Sequence, residues 1–265
     1  MRFRSIASGS NGNCIYTDTE NTRILIDAGI SCKRIEQGLM ELGVSGSALS
    51  AVLITHEHSD HIQGLKILEK HCHVPVYGTP GTLRAILDSD HDGVFNPALF
   101  HGIRPGQRFT VGDYEILPIR TSHDAADPCA YRPTAENKSV AVITDLGTWT
   151  EEQVALLQDL SGLLLESNHD IRMLETGRYP YVLKRRILSD FGHLSNEMSG
   201  KLLDRLLNPA LRFVLLGHLS EENNYPDIAL MSVKNEIDLS DSPWHSGDFR
   251  IEVAGRYESS EIFEL

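Results

Sequence analysis

Seven consecutive residues, Thr55-His56-Glu57-His58-Ser59-Asp60-His61, constrain this chain more than any other stretch. They follow an apolar run, Ala51-Val52-Leu53-Ile54, with the length and β-branched content of a buried strand, and precede an amphipathic segment from Ile62 to Leu68. In extended chain, residues two apart project to one side, so His56 and His58 converge and can share a metal ion. Asp60 is then expected as the N-cap of a helix with apolar residues at Ile62, Leu65 and Leu68. That turn carries Asp60 and His61 to a second point, where a second ion fits. A solvated loop whose Asp60 only caps a helix would account for any one of these residues. It does not account for three imidazoles and a carboxylate crowded at a strand end, a set that suits zinc or a similar ion.

The 265 residues can bury one sizeable core, and one domain over 1–265 is expected. No apolar run is long enough to span a bilayer, and Met1 to Ser5 lead straight into strand-like sequence without a signal-peptide core. The expectation is a soluble, cytoplasmic protein with no membrane partner. Cys14, Cys32, Cys72 and Cys129 show no CxxC spacing and read as buried thiols. A formal net charge of −13 argues against a protein that coats nucleic acid. It leaves room for a metal-dependent nuclease, in which divalent ions and a local basic patch supply the positive field.

Along the chain, strands are expected near residues 3–6, 13–17, 22–26, 74–78, 139–144, 162–165, 212–216 and 249–253, with a hairpin over 107–119. Helices are expected over 31–42, from the central loop to about His71, and over 80–87, 150–160 and 227–237; Ser195 is a further N-cap, before an apolar stripe of Met198, Leu202, Leu203 and Leu206. The Ser8–Gly12 loop is a tight turn or a phosphate cradle, and residues 93–106 read as irregular. His71-Cys72-His73 lies at a helix end, where imidazoles meet the C-terminal dipole, and is set aside as a metal cluster. His91, His101 and His245 read as surface residues. Several titratable residues follow apolar strands: Asp27, His123, Asp145, Glu166 with His169, and His218; His193 precedes the Ser195 helix. Each alone is a weak signal.

The His-x-His-x-Asp-His loop resembles that of the metallo-β-lactamase superfamily, which implies an α/β (by some schemes α+β) four-layer αββα sandwich. The resemblance implies roles in order: His123 completes a triad with His56 and His58 on one ion, Asp145 bridges, and His218 joins Asp60 and His61 on the other. Asp27 would support the histidines from behind, because an imidazole bound through one nitrogen needs its other N–H fixed. Residues 163–220 are similar to ribonuclease Z, with Gly192-His193-Leu194-Ser195 matching its His-Ser-Thr motif and Gly217-His218 its last metal histidine. His193 would then bind phosphate or protonate the leaving oxygen, oriented by His169 or Glu166. Over nearly its whole length the chain resembles the YycJ (WalJ) family, through residues 7–14, 55–64, 122–128, 166–170, 192–196 and 216–224. That resemblance implies 5′-to-3′ exonuclease action on duplex DNA.

Two divalent ions, zinc first and manganese or iron as alternatives, would bridge a water and lower its pKa from about 15.7 to near neutrality, making a hydroxide nucleophile. The metal core alone specifies hydrolysis, not substrate. A nucleic-acid phosphodiesterase, DNA before RNA, is the leading reading. A glyoxalase II-like thioesterase or lactonase is the alternative, and a metal-binding regulator without catalysis a third. The roughly 70 residues between Asp145 and His218 are too few for a large inserted nuclease cap. A small arm over 170–190 can carry substrate through Arg178, Tyr179, Tyr181, Lys184, Arg185 and Arg186, or the same stretch is an amphipathic helix with a solvated basic face.

Overall fold

The computed structural model describes residues 1–265 as two compact units: Met1–Arg120 with Ala125–Asn137 and Gly255–Leu265, and Thr121–Asp124 with Lys138–Ala254.

The first unit opens on β1 (Arg2–Ala7), β2 (Cys14–Asp18) and β3 (Arg23–Ile26), an antiparallel meander that turns parallel after the crossover helix α1 (Cys32–Met40). Then come β4 (Ala51–Leu53), α2 (Ser59–Ile62), α3 (Leu65–Cys72), β5 (Val76–Gly78), α4 (Pro80–Asp88) and β6 (Phe100–Gly102). The strands form one mixed sheet in the order β1 to β6, with Phe263–Glu264 added antiparallel to β1. β3 and β4 have every residue buried save Arg23, as the β-branched runs require of central parallel strands. Leu25, Val52, Ile35, Leu39, Leu65 and Leu68 belong to a single apolar cluster, so α1 and α3 cover one face of this sheet. β7 (Phe109–Val111), β8 (Tyr114–Arg120) and β9 (Cys129–Ala135) complete the unit as an antiparallel meander.

The second unit is a parallel sheet of β10 (Lys138–Ile143), β11 (Gly162–Glu166), β12 (Phe213–Gly217) and β13 (Ile251–Val253). Its helices are α5 (Glu151–Leu156), α6 (Ile171–Thr176), α7 (Tyr181–Ile187), α8 (Asn196–Leu206) and α9 (Pro226–Asp238). α8 starts where the sequence signals it, with Ser195 Oγ accepting from Met198 N, and buries Leu202, Leu203 and Leu206. Each such leucine stabilises by about 1.5–3 kcal/mol. α8 packs on α9 at Gly200, where a Cβ would lie 2.6 Å from Glu236 Cβ, so only glycine permits this crossing. No helix is long and apolar enough to cross a membrane.

Four local expectations are corrected. Asp60 is not an N-cap: His58 holds that position and Asp60 lies in the first turn of α2. The helix expected from there to His71 is broken at residues 63–64, because Gly64 N bonds Ala28 O and a Cβ on Gly64 would meet Ile30 O at 2.2 Å. Residues 93–106 contain the edge strand β6, too short and too exposed to show alternation. β9 was not anticipated: Pro133 disguised a strand whose Tyr131 is fully buried, its hydroxyl donating to Ile54 O at 2.8 Å. Cys14, Cys32 and Cys129 are buried free thiols, whereas Cys72 is only half-buried.

Candidate metal centre

In the first unit the donors stand at the C-terminal ends of the adjacent parallel strands β3 and β4, registered as Ile26 to Leu53. Asp27 leaves β3 with φ +61, and its N–H bonds Leu53 O at 2.8 Å. That left-handed kink is costly for a non-glycine residue and is retained where the carboxylate is needed. Asp27 Oδ1 accepts from Thr55 N at 2.8 Å, and Oδ2 lies 2.9 Å from Thr55 Oγ1 and 2.7 Å from His61 Nδ1. Thr55 Oγ1 also meets His56 Nδ1 at 3.1 Å. With Nδ1 of His61 bonded to a carboxylate, that nitrogen carries the proton and Nε2 is left as a lone pair. Burial pushes the Asp27 carboxyl above its ordinary value, opposed by the His61 imidazole and by Thr55.

The loop itself is pinned from behind. Asn13 N donates to Asp60 O at 2.9 Å and Ala28 N to His61 O at 2.8 Å. A Cβ on Gly29 would fall 1.7 Å from Asp60 O, so this approach admits glycine alone. The rings of His56 and His58 lie with centroids 4.6 Å apart, and those of His56 and His61 4.1 Å apart. Asp60 Oδ2 is 3.4 Å from His61 Nε2. His56 is thus a ring neighbour of both His58 and His61, and Asp60 stands beside His61.

In the second unit, Asp145, Glu166 and His218 cap three neighbouring parallel strands at their carboxyl ends, the usual place for a site in a parallel sheet. Asp145 and His218 both leave their strands with positive φ, +58 and +55. Glu166 is fully buried and is the hub: Oε1 lies 2.8 Å from Nδ1 of His193 and 2.8 Å from Nδ1 of His218. Its Oε2 accepts from Leu146 N at 2.9 Å and Leu194 N at 3.1 Å. Burial alone would raise this carboxyl, but the His193 and His218 imidazoles outweigh it and hold the group down at about 2.

His123 Nδ1 donates to Gly192 O at 3.2 Å, a carbonyl that can only accept, so its Nε2 is a lone pair; it sits 3.5 Å from Asp145 Oδ1. His218 Nε2 sits 3.7 Å from the same oxygen. Burial lowers the His123 imidazole below its ordinary value, against the Asp145 charge, which raises it. Two imidazole lone pairs and a carboxylate oxygen thus face one another, an arrangement that repels unless a cation stands among them. The donor set fits a divalent ion, and Asp145, Glu166, His193 and His218 have donor atoms within 4.8 Å of one another.

His193 is the most open member of this set, with 15% of its side chain exposed against 0–4% for Asp145, Glu166 and His218. Its Nδ1 bonds Glu166 Oε1 at 2.8 Å. His169 is buried, meets Asn168 Oδ1 at 3.3 Å through Nδ1, has no hydrogen-bond partner at Nε2, and is lowered to about 4 by burial. Thr55, Asn13 and the Gly192 carbonyl are the parts that sequence reasoning missed. Thr55 lay inside the loop already singled out, whereas a backbone carbonyl leaves no mark in a sequence.

A model of the β-lactamase superfamily domain matches residues 22–217. The chain belongs to the metallo-β-lactamase superfamily. Among relatives of this superfamily member, exodeoxyribonuclease WalJ of Streptococcus pneumoniae serotype 2 is 38% identical over 241 residues, covering 91% of this chain and 90% of that protein. Exodeoxyribonuclease YycJ of Bacillus anthracis is 35% identical over 244 residues, covering 90% and 89%. The metallo-β-lactamase fold protein YhfI from Bacillus subtilis superposes over 100% of this chain and 99% of its own, with a TM-score of 0.73 at 16% identity. The expected fold class, α/β of the metallo-β-lactamase type, is therefore borne out, with two mixed sheets.

Proposed function

We propose that this chain is a metal-dependent exodeoxyribonuclease that degrades duplex DNA in the 5′-to-3′ direction. Two divalent ions are assigned: His56, His58 and His123 hold one, Asp60, His61 and His218 the other, and Asp145 is shared. Zinc suits the set, and manganese or iron are the alternatives. When bound, the ions supply positive charge for the phosphoryl oxygens and lower the pKa of water.

The remaining work belongs to the chain. Asp27 and Thr55 hold His61, Glu166 holds His218, and the Gly192 carbonyl holds His123, each through Nδ1. The observation that carries the reading is the Glu166 carboxylate shared between His218 and His193. It ties a partly exposed imidazole to an assigned ligand and fixes its Nδ1 side, so His193 can bind a phosphate oxygen or give a proton to the leaving 3′ oxygen. Hydrolysis of a thioester, whose leaving thiol is a good one, needs no such acid. The names carried by the relatives of 35–38% identity favour the same substrate.

Residues 170–190 are assigned as the substrate arm. Lys184 is used internally, capping α6 through the carbonyls of Glu175 and Gly177, and Arg186 pairs with Asp124 beside His123. Arg178, Arg185 and the 73%-exposed Tyr181 remain at the surface for a strand.

The test is the metal-reconstituted chain with 5′- or 3′-labelled duplex DNA, single-stranded DNA, RNA and a thioester. The expected result is labelled mononucleotide released first from the 5′ end of duplex DNA. His193→Ala should lower that rate about 100-fold or more without changing metal content. Intact phosphodiesters beside a consumed thioester would overturn the reading.

A further inference from the structure

The first unit carries a second group of metal-binding side chains away from the His-x-His-x-Asp-His loop. Cys32 and Glu36 stand one turn apart on α1, and His71 lies in the last turn of α3, which packs against α1. Cys32 Sγ, a Glu36 carboxylate oxygen and a His71 ring nitrogen all lie within 4.8 Å of one another. The His71-Cys72-His73 stretch therefore contributes to a donor set, though not through its two histidines. His73 is the C-cap of α3, in the left-handed conformation with φ +51, and His71 instead meets the neighbouring helix.

We propose that Cys32, Glu36 and His71 form a further cation site, taking a thiophilic divalent ion of the zinc class and tying α1 to α3. Thiolate, imidazole and carboxylate together are a zinc-type set, with a fourth position for water. Zinc bonds of about 2.0–2.3 Å place tetrahedral donors roughly 3.3–3.8 Å apart. Glu36 and His71 are both exposed and can close that distance, while Cys32, 8% exposed, forms the floor. Without a cation the Cys32 thiol is pushed up to about 11, first by burial and then by the Glu36 charge, so it stays protonated at neutral pH. A bound divalent ion takes the thiolate, releases that proton to solvent and neutralises the adjacent carboxylate.

α1 begins at residue 32, just after Asp27, and α3 at residue 65, just after His61. An ion bridging the two helices braces the elements that follow the hydrogen-bonded pair Asp27 and His61 in the chain. This site does not depend on the proposed activity, because its signature is spectroscopic. Cobalt bound to thiolate absorbs in the near ultraviolet by charge transfer, and the His/Asp groups of the two loops described above contain no sulfur.

The experiment saturates the reduced full-length chain with Co²⁺ and records that band. The expected result is a thiolate-to-cobalt band in the wild type that is lost in Cys32→Ser and shifts to higher Co²⁺ in His71→Ala, an exposed position where the substitution leaves the fold intact. No band in the wild type, or a band that persists unchanged in either variant, overturns the proposal.

Discussion

The donor groups of the two units differ in how the chain assembles them. In the first unit they come from one short loop, and the support behind them is the next strand end, so the set is local. In the second they come from residues 123, 145, 193 and 218, gathered by the ends of parallel strands and by one buried glutamate. Both solve the same problem, fixing the Nδ1 side of an imidazole so that Nε2 is presented. The two carboxylates that do so respond in opposite directions. Asp27 serves one imidazole together with Thr55 and is raised by burial. Glu166 serves two imidazoles and two backbone N–H groups and is held at about 2. At Glu166 the His193 and His218 imidazoles outweigh burial, whereas at Asp27 burial outweighs His61 and Thr55.

The strongest way to break this comparison is Glu166→Ala. It releases two imidazoles at once, and DNA cleavage should fall about 100-fold, with weaker metal retention by mass spectrometry. An effect no larger than that of Asp27→Ala would show that the shared carboxylate is not the hub. Acid titration of stability comes next. His169 is held at about 4 in the folded chain against about 6.5 unfolded, so above pH 6.5 both states are neutral and its contribution is complete. As pH falls from 6.5 towards 4 only the unfolded chain takes the proton, and up to about 3 kcal/mol is lost. Urea midpoints over that window should slope less for His169→Gln than for the wild type.

Asp27→Ala, in the local half, should cost about tenfold to a few tens-fold in cleavage, because His61 alone loses its carboxylate. The smallest effect belongs to Arg186→Ala. Its pair with Asp124 is roughly half-exposed, so denaturation should show a loss under about 1 kcal/mol. If the 121–124 segment needs that latch, the same variant should raise the KM for DNA more than it lowers kcat.

The same contrast explains what could be read from the residues alone. Ala51–Ile54 followed by His56, His58, Asp60 and His61 is a short-range pattern in which strand period and loop composition agree, and the structure keeps it with one shift, His58 rather than Asp60 at the N-cap. Asp27 was legible because a carboxylate at the end of an apolar strand stands beside the next strand's end. Asp145, His193 and His218 carried no local signal beyond following a strand or preceding a helix, and only the resemblance ordered them. Glu166 was expected beside His193, but its bond to His218 depends on the register of β11 with β12, which no spacing reveals. Pro133 concealed β9, and the break at residues 63–64 follows from a backbone approach at Gly64 that hydrophobic periodicity ignores.

The central claim is tested most directly by titrating the chelator-stripped Cys32→Ser chain, which lacks the thiolate of the proposed further site, with Mn²⁺ while counting bound ions and following mononucleotide release from 5′-labelled duplex DNA. The account predicts no release from the stripped chain and full release as occupancy reaches two ions. Release by the stripped chain, or none at any occupancy, would contradict it.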